Sequence, residues 1–340
     1  MDLHRFKTIT AKYPQLRLAV AGDFCLDRYL EIDPTRQEIS IETGLPVHNV
    51  INVRAQPGAA GTILNNLVSL GIGAIYPVGF CGKDGEGYEL QTALRAKIGV
   101  RLDHFLHTDL RRTFTYCKPL VLEQGKPPLE LNRLDSKNWT PAPAPVREHV
   151  ISAVQQLSEA ADAIILLDQV DVPETGVITI DVLAAIAAII KAKPGSLFIA
   201  DSRRGLMGYP PVSLKMNQAE LKALTGSRIE LNFDELKDTA AAVAQKQGQP
   251  VFITLADRGI LGANPAGEVE YVPALRVRGP IDIVGAGDAV TANLTAALAA
   301  GASLREALEV ANAAASIVIH QLGTTGTASV KQIEDLLFRV

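Results

Sequence analysis

From residue 146 onward the chain keeps one rhythm. Helical patterns at 146–158, 174–191, 217–224 and 232–247 interleave with short apolar runs at 163–167, 196–200, 213–216 and 251–255. Strands separated by helices return to one sheet in parallel, by right-handed crossovers. The runs are compact and apolar without polar alternation, as in strands covered on both faces. Matching runs at 16–21 and 74–78, with helices at 62–70 and 84–98, extend the pattern toward the N-terminus. A hairpin at 260–263 and 269–273, helices at 303–322 and 330–338, and a short leading helix at 2–12 complete it. The rhythm predicts an α/β fold with a mainly parallel sheet.

Two stretches break the rhythm. Residues 31–54 alternate short apolar and polar steps and carry Pro34 and Pro46, and residues 113–133 are β-rich as well. Both leave and rejoin the αβ chain, so they are expected to form one appended sheet.

Bulk properties exclude several classes. At 47% apolar and 21% charged residues, a large core is available and disorder is not expected. The net charge is −4 with no basic block, so no nucleic-acid partner is expected. Cys25, Cys81 and Cys117 are far apart, which fits a reducing cytoplasm better than a disulfide framework or a zinc site. Residues 1–10 are too polar for a leader peptide, and no apolar run reaches the roughly 20 residues a bilayer needs. No membrane association is expected.

The chemistry concentrates at Asp282-Ile283-Val284-Gly285-Ala286-Gly287-Asp288, followed by helix formers at 289–300. Small residues let a backbone approach a ligand closely. The first turn of a helix presents unpaired N–H groups at a positive dipole end, a natural cradle for phosphate. Asp288 would repel that phosphate, which makes sense if it takes a proton from an attacking hydroxyl. The plain alternative is a tight loop with Asp as a helix cap. A dinucleotide fingerprint fails, because Val290 stands where Gly or Ala belongs.

This loop resembles the signature of the PfkB/ribokinase family of ATP-dependent sugar and nucleoside kinases. The likeness extends in order through Val20-Ala21-Gly22-Asp23, Pro57-Gly58-Ala59-Ala60-Gly61, Asn217-Gln218-Ala219-Glu220 and the turn from Thr254 to Gly259. Within the family, Gly22-Asp23-x-x-Leu26-Asp27-Arg28-Tyr29 and Arg133-Leu134-Asp135 are most similar to the kinase domain acting on heptose 7-phosphate. The resemblance implies a ribokinase-like three-layer αβα fold, a single domain over 1–340, with the two β stretches as a lid over the sugar.

It further implies ATP and Mg²⁺ as cofactors and a sugar or sugar phosphate as the small-molecule substrate. Asp288 would be the base, and Gly285, Ala286 and Gly287 the anion hole. Asn217, Glu220, Thr254, Gly259, Asn312 and Gly323 would line the nucleotide, Glu220 also reaching Mg²⁺ through water. Asp23, Asp27, Gly58, Ala59, Thr62, Arg133 and Asp171 would meet the sugar. Asp282 matches a monovalent-cation position, K⁺ in relatives, and a homodimer through the lid is implied. The chain departs from the family at Ala59 and Ala256, where Gly is usual, and at Thr62, where Asn is usual. Ile283 and Val284 replace threonines. A kinase of a nucleoside or other small alcohol, and a non-catalytic binding member of the fold, are the rival readings.

Overall fold

The computed structural model describes residues 1–227 and 231–339. The first half holds α1 (Leu3–Thr10), β1 (Arg17–Gly22), β2 (Phe24–Ile32), β3 (Glu38–Ile39), β4 (Pro46–Val47), β5 (Val50–Ala59), α2 (Ala60–Ser69), β6 (Ala74–Gly82), α3 (Gly85–Arg95), β7 (Phe105–Thr108), β8 (Phe114–Val121), β9 (Leu129–Glu130) and β10 (Leu134–Ser136). The second half adds α4 (Ala144–Ala160), β11 (Ala163–Asp168), α5 (Ile180–Ala192), β12 (Phe198–Ser202), β13 (Ser213–Asn217), α6 (Gln218–Thr225), α7 (Phe233–Gln247), β14 (Val251–Thr254), β15 (Ile260–Ala263), β16 (Val269–Val272), α8 (Ala286–Ala299), α9 (Leu304–Val318) and α10 (Val330–Phe338).

Nine strands form the main sheet, in the order β16-β15-β14-β13-β12-β11-β1-β6-β7. Pairings from β14 to β7 are parallel, while β15 and β16 add antiparallel at the edge. Successive side chains on a strand point to opposite faces. Along β1, Leu18 and Val20 therefore join one core while Ala19 and Ala21 join the other. The first core packs α2, α8 and α9 through residues such as Leu64, Leu294 and Leu308. The second packs α4, α5 and α7 through Val154, Ile186 and Leu236. The result is three layers, helix–sheet–helix, as the expected ribokinase-like fold requires.

Strand order runs outward in both directions from β1 and β11, so the chain reverses direction between them. Open α/β sheets bind ligands beyond the carboxyl ends of strands at such a switch. Here those ends carry Asp23 after β1 and Asp168-Gln169 after β11.

A second sheet, β10-β8-β2-β5 with β9 on β8, stands at the same end. It draws on more chain than the 31–54 and 113–133 stretches. β2 starts at Phe24, β5 runs on to Ala59, and β10 ends at Ser136. Two of its four joints to the rest of the chain are very short. Asp23 alone separates β1 from β2, and β5 passes into α2 with no residue between. The two joints are bonded to each other, the Ala60 N–H donating to the Asp23 carbonyl at 3.0 Å.

Several expected helix boundaries move, among them that of the helix expected over 84–98, which spans Gly85–Arg95. The helix expected over 174–191 starts only at Ile180, capped by Thr179, because Val177 is held elsewhere by its N–H. The helix expected over 303–322 ends at Val318. The central helix begins earlier than 289, at Ala286, with Gly285 as its N-cap at φ +84°.

Candidate active site

The site assembles where α8 starts. Asp288 is the third residue of that helix, and its side chain makes no cap, so the plain capping alternative does not hold. Among the described residues no hydrogen bond or ion pair engages its carboxylate. Its surroundings push its pKa up to about 7: burial contributes most, Asp201 next and Asp27 less, with Lys215 opposing. The carboxylate keeps some contact with solvent, because it opens on a cleft of about 260 Å³ lined by Leu167, Gln169, Asp201, Arg203, Lys215, Glu220 and Gly287.

In the loop expected to form an anion hole, one of the amides is already engaged. The Ala286 N–H turns back to the Ile283 carbonyl at 3.2 Å. The N–H groups of Gly285, Gly287 and Asp288 have no protein acceptor among the described residues, as first-turn amides usually lack one. Gly287 leaves room for the end of a lysine side chain. A Cβ there would lie 3.0 Å from the Lys215 Nζ.

Lys215 and Asp201 were not singled out in the sequence. Lys215 donates to Asp201 Oδ2 at 2.7 Å, and the Thr291 hydroxyl donates to the same oxygen at 2.9 Å. Burial works against the lysine's charge, but Asp201 above all, with Asp288 and Glu220, outweighs it and raises the pKa. A fixed cation thus lies beneath the helix mouth. The only sequence signal was a lysine inside an apolar strand, two residues before Asn217 and so on the same strand face.

Asn217 and Glu220 form a reciprocal capping box at the start of α6: Glu220 N–H to Asn217 Oδ1 at 2.9 Å, Asn217 N–H to Glu220 Oε2 at 2.7 Å. Glu220 still lines the cleft, and burial raises its pKa. Thr254 donates to the Met216 carbonyl at 3.4 Å. Gly259 has φ +106°, and a Cβ there would strike the Val272 carbonyl at 2.1 Å. Asn312 donates its amide to the Pro273 carbonyl at 2.8 Å, which fixes the chain leaving β16. Asp282 ties two loops, accepting from Val284 N–H at 3.0 Å and Gly323 N–H at 3.3 Å. Among the described residues no group of three or more His, Cys, Asp or Glu could hold a metal ion.

Of the residues expected at the sugar, Asp23, Ala59 and Asp171 line a narrow crevice beside the cleft, while Asp27, Gly58, Thr62 and Arg133 do not. Asp23, Cys25, Ala59, Tyr116, Lys137, Trp139 and Asp171 line it, and Gln169 belongs to both spaces. Asp23 is 3% exposed. Its oxygens accept from Gln169 N–H at 2.8 Å and Val177 N–H at 2.7 Å, so it clamps the loop after β11. Burial, then the Asp168 charge, raises its pKa to about 7 against those amides. Asp27 is buried and pairs with Lys118 at 3.4 Å. A Cβ at Gly58 would lie 2.4 Å from Asp27 Oδ2, so only glycine fits beside it. Thr62 is buried, with its methyl beside Gly285. Arg133 pairs with Asp135 and stacks over the Tyr116 ring at 4.9 Å. Asp171 is held by Lys137 at 2.8 Å and Arg203 at 3.3 Å, which keeps its pKa low.

The family departures leave a trace in the backbone. Ala59 and Ala256 both have positive φ, +52° and +53°, a region that favours glycine.

A family model described as pfkB family carbohydrate kinase matches residues 25–331. The chain belongs to this family. Among pfkB relatives, the bifunctional protein HldE of Gluconacetobacter diazotrophicus is 30% identical over 322 residues, covering 94% of this chain and 63% of that protein. The bifunctional protein HldE of Azorhizobium caulinodans is 30% identical over 308 residues, covering 90% and 61%. The chain thus spans less than two thirds of the length of these curated relatives. Solved pfkB-type folds superpose throughout. Arabidopsis thaliana ribokinase complexed with ribose and ATP gives a TM-score of 0.66 at 21% identity, covering 96% of this chain and 99% of that one. Escherichia coli phosphofructokinase-2 in complex with substrates and products gives 0.70 at 19%, covering 94% and 98%. At these identities the likeness establishes the ribokinase-like fold. Among the described residues no helix is long and apolar enough to cross a membrane.

Proposed function

We propose that this pfkB protein transfers the γ-phosphoryl group of ATP to a hydroxyl of a sugar phosphate, of the heptose 7-phosphate kind. The observation that carries this is Asp288: a carboxylate unpartnered among the described residues, its pKa pushed up to about 7, at a helix mouth where the Gly285, Gly287 and Asp288 N–H groups lack a protein acceptor while that of Ala286 is engaged. Such a group is matched to accept a proton near neutral pH. As the acceptor oxygen attacks the γ-phosphorus, its proton passes to Asp288. The bond to the bridging oxygen breaks, and ADP leaves with that electron pair. Charge building on the transferred group meets the Gly285, Gly287 and Asp288 N–H groups, the dipole of α8 and the Lys215 ammonium.

Mg²⁺ supplies charge neutralisation on the phosphates when bound. Glu220 fits a water-bridged ion, since only one of its oxygens is used in the capping box. Asp282 stays the proposed monovalent-cation position, since each of its oxygens accepts one amide and keeps a further lone pair. The sugar-phosphate reading is supported by the cations gathered at the crevice. Arg133 and Lys137 stack on Tyr116, and Arg203 reaches Asp171 from the cleft side. Arginine and lysine so placed suit a second anionic group on the acceptor.

The test is ADP release against a panel holding heptose 7-phosphate, fructose 6-phosphate, ribose and adenosine. Wild type should turn over a sugar phosphate, and Asp288→Asn should lose roughly 10²–10⁴-fold in kcat. Equal rates for the two proteins would remove Asp288 as the base. Turnover of adenosine alone would move the assignment to a nucleoside kinase.

A further inference from the structure

Trp139 is the chain's one tryptophan, and it is 70% exposed. Large aromatic side chains are normally well covered, so a ring left out asks for a reason. Its backbone is anything but loose. On one side Asn138 accepts from the Arg112 N–H at 3.2 Å and donates to the Arg112 carbonyl at 2.9 Å. On the other, the buried Arg111 donates to the Thr140 hydroxyl at 3.0 Å, to the Thr140 carbonyl at 2.8 Å and to the Pro141 carbonyl. Next along, the Ala142 N–H donates to the Glu174 carbonyl at 2.7 Å. A ledge between β10 and α4 is therefore held rigid, and it displays an uncovered indole.

The ring stands at the crevice that also holds Asp23, Tyr116, Lys137 and Asp171. Through Gln169 that crevice adjoins the cleft of Asp288. A sugar has apolar carbon faces and a hydroxylated edge. A fixed aromatic plate with an ion pair beside it is complementary to both. We propose that Trp139 is a specificity-determining residue for the acceptor: its indole stacks on the carbon face of the sugar, while the Lys137–Asp171 pair meets the polar edge. This rests on the kinase reading above for the identity of the crevice as the acceptor site. The ledge lies outside the two stretches that the sequence marked as lid.

Because Trp139 is the sole tryptophan, emission excited on the red side of the tyrosine band reports on it alone. The full chain is titrated with ribose, fructose 6-phosphate and heptose 7-phosphate, and separately with a non-hydrolysable ATP analogue. A saturable change with at least one sugar, and none with the analogue, is the expected result. On the phosphorylated sugar, Trp139→Ala should raise the acceptor KM roughly five- to tenfold while kcat and the KM for ATP hold within about twofold. Trp139→Phe should recover most of the loss. No emission change with any of the three sugars, or an unaltered acceptor KM in Trp139→Ala, overturns the proposal. A sugar that shifts the emission but is not phosphorylated upholds Trp139 and counts against the kinase. A sugar that is phosphorylated with emission unmoved does the reverse.

Discussion

Asp288 holds a proton to unusually high pH for a carboxylate, and this has a consequence for stability as well as for turnover. In the unfolded chain it ionises near 4; in the folded chain burial and Asp201 delay that to about 7. Folding therefore takes up a proton between those values, and the cost of the buried charge grows as pH rises from 4 to 7, then levels off. Asp288→Asn has no such cost. It should be more stable than wild type by on the order of 1–3 kcal/mol above pH 7, with the gap closing toward pH 4. Urea melts of both proteins at pH 4.5, 6 and 8 measure this, and a gap independent of pH would contradict the assigned shift. Single residues differ in how readable they were. Asp288 sits in a local string of seven residues whose small side chains and following helix announce a phosphate cradle. Lys215, Asp201 and Thr291 come from three separate elements and become a group only when β12, β13 and α8 pack, so no local pattern could join them.

Elements whose ends are set locally were legible. The starts of α6, α7, α9 and α10 each carry a reciprocal capping box, built by Asn217 with Glu220, Asn232 with Glu235, Ser303 with Glu306, and Ser329 with Gln332. Ends set by distant partners were not. Residues 174–179, with Gly176 and four β-branched side chains, are weak helix formers, and Val177 is bonded to the carboxylate of Asp23, so the helix waits for Thr179. The turn after β14 makes a further point. Ala256 keeps a backbone shape suited to glycine, at φ +53°. A β-carbon in that region costs about 1–2 kcal/mol, partly offset by the extra freedom glycine has when unfolded. Ala256→Gly should therefore raise stability by roughly 0.5–1 kcal/mol, read as a higher urea midpoint at unchanged slope. An unchanged or lower midpoint would show that the turn carries no such strain.

At the scale of the molecule, the switch between β1 and β11 places both spaces of the site at one end of the sheet. The alternation of elements predicted the sheet, and the lid appeared in the sequence as an absence of rhythm. Its outer strand β5 is an edge that exposes Val50, Ile51 and Val53. An open apolar edge of this kind invites a second strand. Light scattering at micromolar concentration should give twice the chain mass, and Val53→Lys should return it to the single-chain value. A single-chain mass for the unaltered protein would rule out pairing through β5.

The lid's attachment has a mechanical consequence. Two of its four crossings to the rest of the chain pass through neighbouring points, Asp23 and Ala59–Ala60, which a main-chain hydrogen bond fastens together; the other two, 109–113 and 137–143, are tied to each other through Arg111 and Asn138. A sheet held at two such pairs of crossings is braced at both and has no single axle. Asp23, at one of these crossings, also grips the loop that borders both the cleft and the crevice. A displacement of the second sheet at that crossing would therefore be felt at once in the walls of both spaces.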